Sequence, residues 1–259
     1  MEDFAKYNGD GTPLRKAQLC MLNILIEIDR ICRKHDIPYW LDSGTLLGAV
    51  RHGGFIPWDD DVDIAIMRSD YPRLKEYLTE ELPKDLILQD SINEPNYPLT
   101  FPKIRDRNSY FEEKGMHKMK EQGIYIDIFL MEKVPSKRWK HWVDYVYGHC
   151  FRALHNFTTP MDKLLSSMVY PLALMVLWGT RFVNHFIPSN QIAHAYGSYS
   201  TNIYDRSLIF PLCDTEFEGI KVRCPNKPHE VLTIVFGDYM QIPPEEKRQQ
   251  HAGKIEIYK

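Results

Sequence analysis

Apolar positions along the first half of the chain shift between helical and extended spacing several times. From Leu14, the residues Ala17, Met21, Ile24, Ile28 and Ile31 recur at intervals of three and four, one stripe of an amphipathic helix. That helix should stop near His35, because a residue before proline, here Ile37 before Pro38, resists helical geometry. A short strand is expected over 39–42. The following "SGTLLGAVRHGG" offers Ser43 and Thr45 as caps, a brief helix through Arg51 and a Gly53-Gly54 turn. Over 61–67 the alternation is strict: Asp61, Asp63 and Ala65 fall on one face, Val62, Ile64 and Ile66 on the other. "RSDYPRLKEYLTEEL" reads as a helix capped by Ser69, with Tyr71, Leu74, Leu78 and Leu82 inward. "GIYIDIF" is a second apolar strand carrying one acid, Asp127. Helices and strands alternating in this way predict an α/β or α+β class.

The pattern then changes. Residues 137–157 are rich in aromatic and basic side chains, and no charge occurs from Leu164 to Thr180. From Asp214 the chain is polar, with prolines at 225, 228, 243 and 244. Three regions are therefore expected: a core over 1–135, a helical aromatic and apolar region over 136–213, and a C-terminal segment over 214–259 that wraps back on the core. The apolar stretch over 164–187 contains Pro171 and meets Arg181 and His185, which interrupts the run of about 20 apolar residues needed to cross a bilayer. Buried core helices are the preferred reading. Attachment to a membrane surface through this stretch and the basic-aromatic segment before it is the alternative.

Composition narrows the field. The chain has 259 residues with 44% apolar and 26% charged, ordinary for a folded domain. A formal charge of −3 supplies no basic field for nucleic acid. Five scattered cysteines without a CxxC pair suggest reduced thiols rather than a disulfide framework or a zinc site. The polar opening "MEDFAKYNGDG" has no apolar core segment, so no signal peptide is expected. A cytoplasmic protein follows, with peripheral attachment to the inner face of the cell membrane as the variant of that reading.

The chemistry concentrates in "GFIPWDDDVDI", where Asp59, Asp60, Asp61 and Asp63 crowd beside an apolar strand. Alternate strand residues leave the same face roughly 6–7 Å apart. Two like charges about 4 Å apart repel by about 4 kcal/mol at an effective dielectric near 20, a cost that a divalent cation reverses. Hard oxygen ligands select Mg²⁺ or Mn²⁺ over zinc. Asp127, alone in an apolar strand, is the natural third ligand. The competing reading is a solvated acidic turn, with Asp127 paired to a basic side chain. Upstream, Ser43, Gly44 and Thr45 at a helix start could cradle a phosphate on backbone N–H groups. Arg51 and His52, and Lys103 and Arg105 in "KIRD", are candidate phosphate contacts, with plain surface basicity or a counter-ion role as the alternative. Trp58 could stack on a base or headgroup, although a tryptophan beside a strand is more often core.

The stretch "YWLDSGTLLGAVRHGGFIPWDDDVDI", over 39–64, resembles the signature of the LicD/fukutin-related family. "FPKIRDRNS" (101–109), "GIYIDIF" (123–129), "FEG" (217–219) and "FGDYMQIPPEEKRQQH" (236–251) resemble its later blocks in order. The resemblance implies a nucleotidyltransferase-like mixed sheet whose acids Asp61, Asp63 and Asp127 bind the metal. It implies a CDP-activated alcohol as donor and a glycan hydroxyl as acceptor, lipid-linked glycans included, with release of CMP. LicD-like members use CDP-choline on teichoic acid, lipopolysaccharide or capsule, and the fukutin-like branch uses CDP-ribitol. CDP-glycerol or CDP-ethanolamine, a different acceptor for a nucleotidyl group, and a catalytically silent nucleotide-binding module are the other readings. Asp127, or a neighbour in the Asp59-Asp60 pair, would take the acceptor proton; His251 falls in a matched block. Two departures stand out: Leu130-Met131-Glu132 where the family continues Pro-Leu-Asp, and Phe236 where it has tyrosine.

Overall fold

The computed structural model describes residues 4–94, 97–113, 115–155, 159–198, 200–248, 250 and 252–258. Its first elements are α1 (Ala5–Asn8), α2 (Pro13–Lys34), β1 (Tyr39–Leu41), α3 (Ser43–His52), β2 (Asp63–Met67) and α4 (Tyr71–Glu81). There follow β3 (Leu86–Gln89), β4 (Lys103–Asp106), β5 (Ser109–Glu113) and β6 (Tyr125–Lys133). The middle of the chain is α5 (Lys137–Val143), a π-helical turn (Asp144–Gly148), α6 (His149–His155) and α7 (Pro160–Phe186). After it come β7 (Gln191–His194), β8 (Ile203–Asp205), α8 (Arg206–Ile209), β9 (Cys213–Phe217), β10 (Ile220–Cys224), α9 (Pro228–Phe236) and β11 (Ala252–Ile257).

The core is a seven-stranded mixed sheet flanked by helices. Five strands run β1-β2-β6-β4-β3, and β7 joins β6 and carries β8 beyond it. Strand β6 is central: β2 lies parallel to it, β4 pairs antiparallel with its first residues, and β7 pairs with its last. The β2–β6 pair is parallel, so a crossover must connect its strands. Strand alternation gives the sheet two unlike faces. Tyr39, Leu41, Ile64, Ile66, Ile104, Ile126 and Ile128 are buried on one. Helix α2 packs against β4 and β6 with Ala17, Met21, Ile24, Leu25, Ile28 and Ile31 buried. Each buried Met, Ile and Leu among them contributes about 1.5–3 kcal/mol on leaving water. The opposite face carries the charges described below.

Local sequence explains the ends of α2. Thr12 accepts the Arg15 N–H and Pro13 occupies the first helical position. At the other end Asp36 turns at φ 49° ahead of Ile37-Pro38. Three expectations are corrected. Strand β2 begins at Asp63, two residues later than the alternation suggested, although the Asp127 N–H still bonds the Val62 carbonyl at 2.9 Å. The chain is diverted there because the buried carboxylate of Asp60 accepts the Ala252 N–H at 2.6 Å. Ser69 does not cap α4, whose N-cap position is Asp70 with no side-chain bond. The stretch over 164–187 is one long helix with most of its apolar side chains in solvent, not a buried core element. The five cysteines are unbridged.

Helix α3 packs so closely on the turn after it that a Cβ on Gly48 would lie 2.4 Å from the Gly54 carbonyl oxygen. Gly48→Ala should therefore push α3 off that turn, at a cost of about 1–3 kcal/mol, measurable by urea denaturation. Unchanged stability would show that the turn yields freely.

Candidate functional site

Register and alternation bring the chemistry to one face of the sheet. Asp63 and Asp127 are direct partners in the parallel β2–β6 pair. Lys103 is the partner of Asp127 on β4, and His194 is the partner of Met131 on β7. Asp42, one residue past β1, donates its N–H to the Asp63 carbonyl at 3.0 Å. All of these side chains are buried.

Charge pairing is dense. Lys103 Nζ donates to Asp127 Oδ1 at 2.6 Å, lies 3.0 Å from Glu113 Oε1 and sits 3.5 Å from the Tyr125 ring centroid. Arg105 donates to Gln89 Oε1 at 2.5 Å, to the Gly123 carbonyl at 2.8 Å and to Glu113 Oε2 at 2.7 Å. Burial pushes Glu113 up, but Lys103 and Arg105 outweigh it and hold the carboxyl below its ordinary value. At Asp63 the balance runs the other way. Burial first, then the charges of Asp61, Asp127, Asp42 and Asp59, raise it well above the carboxylate range. Burial also raises Asp127, against the pull of Lys103, to about 6, and Glu113 and Asp61 add to the rise. The charge of Asp61 thus raises both strand acids. Asp127 is paired to a basic side chain, as in the competing reading, yet Asp63 is buried rather than solvated.

Beside them, His194 Nε2 lies 2.8 Å from Asp42 Oδ2, which also accepts the Ser43 hydroxyl at 3.2 Å. A carboxylate only accepts, so the Nε2 position carries the proton and donates. The Nδ1 atom is buried with no hydrogen-bond partner among the described residues. Thr45 Oγ1 accepts the Asp63 N–H at 2.8 Å and so pins the start of β2 rather than capping α3. At Gly44 a Cβ would stand 3.0 Å from Asp59 Oδ2, so the bare backbone lets that carboxylate approach the helix start.

The other sequence candidates lie elsewhere. Arg51 donates to the Tyr239 carbonyl at 2.8 Å and to the Gln241 carbonyl at 3.2 Å, tying α3 to the C-terminal segment. His52, its pKa pushed down to about 4 by burial and then by Arg51, packs with Phe4 and Trp58. Trp58 is buried, and the Arg248 guanidinium sits 4.6 Å from its ring centroid. Asp60 is the tether to Ala252, Arg105 is enclosed in the sheet, and His251 lies outside the described residues.

The donor set around Asp63 is all carboxylate, the chemistry of Mg²⁺ or Mn²⁺ rather than zinc, and its mutual repulsion is what a cation would relieve. Among the described residues no three His, Cys, Asp or Glu side chains are drawn into one ion-holding cluster. Asp42, His194 and Glu113 were not singled out in the sequence. Asp42 had a signal: it extends the alternation of Trp40 onto the acid face. His194 had none, because β7 arrives from a segment about sixty residues further on.

Two stability tests follow. The unfolded chain gives Asp63 and Asp127 ordinary values near 4, whereas the folded chain raises both, Asp127 to about 6. Folded protein therefore gains protons as pH falls through that window, and the destabilisation present at neutral pH fades toward about pH 5. Asp63→Asn should raise the Tm of chelator-treated protein at neutral pH by about 2–4 °C per kcal/mol relieved, with the gain shrinking toward about pH 5. A lower Tm at both pH values would refute the repulsion. Lys103→Met leaves the buried Asp127 carboxylate without its cation, while Glu113 keeps Arg105, and should cost about 3–5 kcal/mol in denaturant unfolding.

Comparison with known proteins bears on the same residues. The model of the LicD/FKTN/FKRP nucleotidyltransferase domain matches residues 36–169, a little over half of the chain and spanning both strand acids. The lipopolysaccharide cholinephosphotransferase LicD of Haemophilus influenzae is 29% identical over 265 residues, covering 92% of this chain and 95% of that protein. An uncharacterized protein of Rickettsia prowazekii is 32% identical over 137 residues, 52% of this chain and 46% of its own length. The ribitol 5-phosphate transferase FKRP of Mus musculus is 43% identical over 68 residues, 25% of this chain and 13% of that protein. The chain belongs to the LicD/FKTN/FKRP nucleotidyltransferase-domain family.

Proposed function

We propose that this protein is a metal-dependent phosphotransferase that moves phosphocholine from CDP-choline to a hydroxyl of a cell-surface glycan, releasing CMP. The observation that carries the reading is the pair Asp63 and Asp127, in register on parallel strands, with Asp127 held by Lys103 and Asp63 raised by burial and the surrounding carboxylates. The near full-length likeness to a lipopolysaccharide cholinephosphotransferase supports the choline and glycan parts. In the reaction the acceptor oxygen forms a bond to the phosphorus bearing choline, the P–O bond to CMP breaks, and the hydroxyl proton passes to a carboxylate of this face.

Asp63 and Asp127, with Asp61, would hold the divalent cation, which when bound offsets the negative charge of the diphosphate. The remaining roles belong to the chain itself. Lys103 fixes the Asp127 carboxylate through Oδ1, and Glu113 in turn holds Lys103. Thr45 sets the backbone at Asp63. His194 orients Asp42 beside that residue, so an entering hydroxyl meets a rim already rigid on two sides. The cytidine donor, rather than nucleic acid, accords with the formal charge of −3.

A second donor deserves the same assay, because the segment similar to FKRP belongs to a protein named as a ribitol 5-phosphate transferase. Incubation with Mg²⁺ and a panel of CDP-choline, CDP-ribitol, CDP-glycerol and CDP-ethanolamine, read as CMP release, should show turnover with CDP-choline above the others. Asp63→Asn and Asp127→Asn should each lower that turnover by about a thousandfold or more while the circular dichroism spectrum is kept. Near-normal turnover in either variant would defeat the assignment.

A further inference from the structure

Helix α7 divides along its length into two stripes. Ser166, Ala173, Leu177, Thr180 and Asn184 are buried against the protein body. On the opposite side Leu164, Met168, Leu172, Met175, Phe182 and Phe186 recur at helical spacing, each 56–71% exposed. With Gly179 filling the one gap in the series, this ridge is about 33 Å long at 1.5 Å per residue. A contiguous apolar surface of that size marks an interaction site. Its edge is aromatic: Trp178 is 60% exposed, and Trp139 and Trp142 of α5, 5.3 Å apart by ring centroid, are exposed beside it. An apolar groove of about 460 Å³ between α5 and α7 is lined by Trp139, Trp142, Val176, Gly179 and Val183.

Charge identifies the occupant. Residues 137–187 hold six Lys and Arg against two Asp, within a chain whose formal charge is −3. Lys137, Arg138 and Arg152 are exposed, as are His141, His149 and His185. The two acids are engaged: Asp144 pairs with Lys140 and accepts the Gly197 N–H, and Asp162 forms the capping box of α7 with Thr159. We propose that α7 and α5 form a docking face for an anionic lipid bilayer, with α7 lying in the plane of the interface and the basic side chains on the headgroups. A second copy of the chain would bring two basic rims together, which like charge opposes. Spanning is opposed by how the helix is fastened. Arg181 grips Glu132 of β6 at 2.9 and 3.0 Å, and Asn184 bonds the Lys133 carbonyl and the Tyr196 hydroxyl. A transmembrane α7 would carry these polar pairs and the sheet edge into hydrocarbon. Tryptophan at the rim and a cationic surround fit an interfacial helix.

The test is sedimentation of the whole chain with vesicles of phosphatidylcholine alone or containing phosphatidylglycerol, and it reads no enzyme activity. Binding is expected to the anionic vesicles, weakened by high salt, with a blue shift of tryptophan emission. Met175→Gln with Phe182→Gln, two exposed positions, should reduce binding about tenfold while the Tm is kept, and Lys137→Glu with Arg138→Glu should remove the preference for anionic lipid. Absence of binding at low salt overturns the proposal. So does vesicle binding that survives both double substitutions. A dimer in sedimentation velocity that Met175→Gln and Phe182→Gln abolish, without vesicle binding, would make the occupant a second copy instead.

Discussion

The ammonium of Lys103, held between Asp127 and Glu113 in the middle of the sheet, is the contact on which the functional face rests. A buried cation is expensive unless its partners are close and its protons are used. Here two carboxylates and the Tyr125 ring enclose it. Glu113 is shared with Arg105, and Arg105 reaches Gln89 and the Gly123 carbonyl, so one connected row of charge crosses β3, β4 and β6 into β5. The row is balanced at the Arg105 end and in deficit at the other. Beyond Asp127 comes Asp63, which burial and the charges of Asp61, Asp127, Asp42 and Asp59 raise well above the carboxylate range. The two ends of the face differ accordingly: one is a structural ion network, the other a crowd of carboxylates around Asp63.

This arrangement is affordable because the sheet separates its two faces so sharply. On the far side, isoleucines from β2, β4 and β6 meet α2 in a continuous core. That core supplies the stability against which the acid face can be strained, the usual relation between a scaffold and its active site. The short links around β2 do the positioning. Thr45 holds its first N–H, Asp60 is anchored by the C-terminal strand, and Gly44 and Gly48 let α3 lie close to the acids and the turn that follows.

The same sheet also places α7. Glu132, the last residue of the Leu130-Met131-Glu132 departure from the family pattern, is the residue that receives Arg181 and the Tyr196 N–H. A single strand, β6, therefore carries a carboxylate for chemistry near its start and a carboxylate that fastens the exposed apolar helix near its end. The acid face and the fastening of α7 are thus held to one another by nine residues of backbone. For a transferase whose acceptor is a surface glycan, that coupling would set the height of the site above the lipid.

Much of the architecture was legible in the order of residues, because it depends on spacing along the chain. The stripe of α2, the alternation of β2 and the lone acid of β6 are local facts, and short-range sterics turn them into elements. The shared face of Asp63 and Asp127 followed from the alternation of two strands. What spacing could not supply was everything set by contacts between distant segments. Lys103 and Arg105 read equally well as phosphate ligands or counter-ions, and only their partners Asp127, Glu113 and Gln89 distinguish a network from a binding site. His194 meets Asp42 across 152 positions. Arg51 and Trp58, each plausible at a site, are taken up by the C-terminal segment. The apolar run in α7 has the composition of a core helix. Whether it is covered depends on how much other surface reaches it, and the fold leaves one side open. Sequence by itself determined the elements and the sign of the charge they carry, since both are properties of neighbours. Tertiary structure alone decided which charges are paired and which apolar face stays uncovered, since pairing and burial belong to residues far apart in the chain.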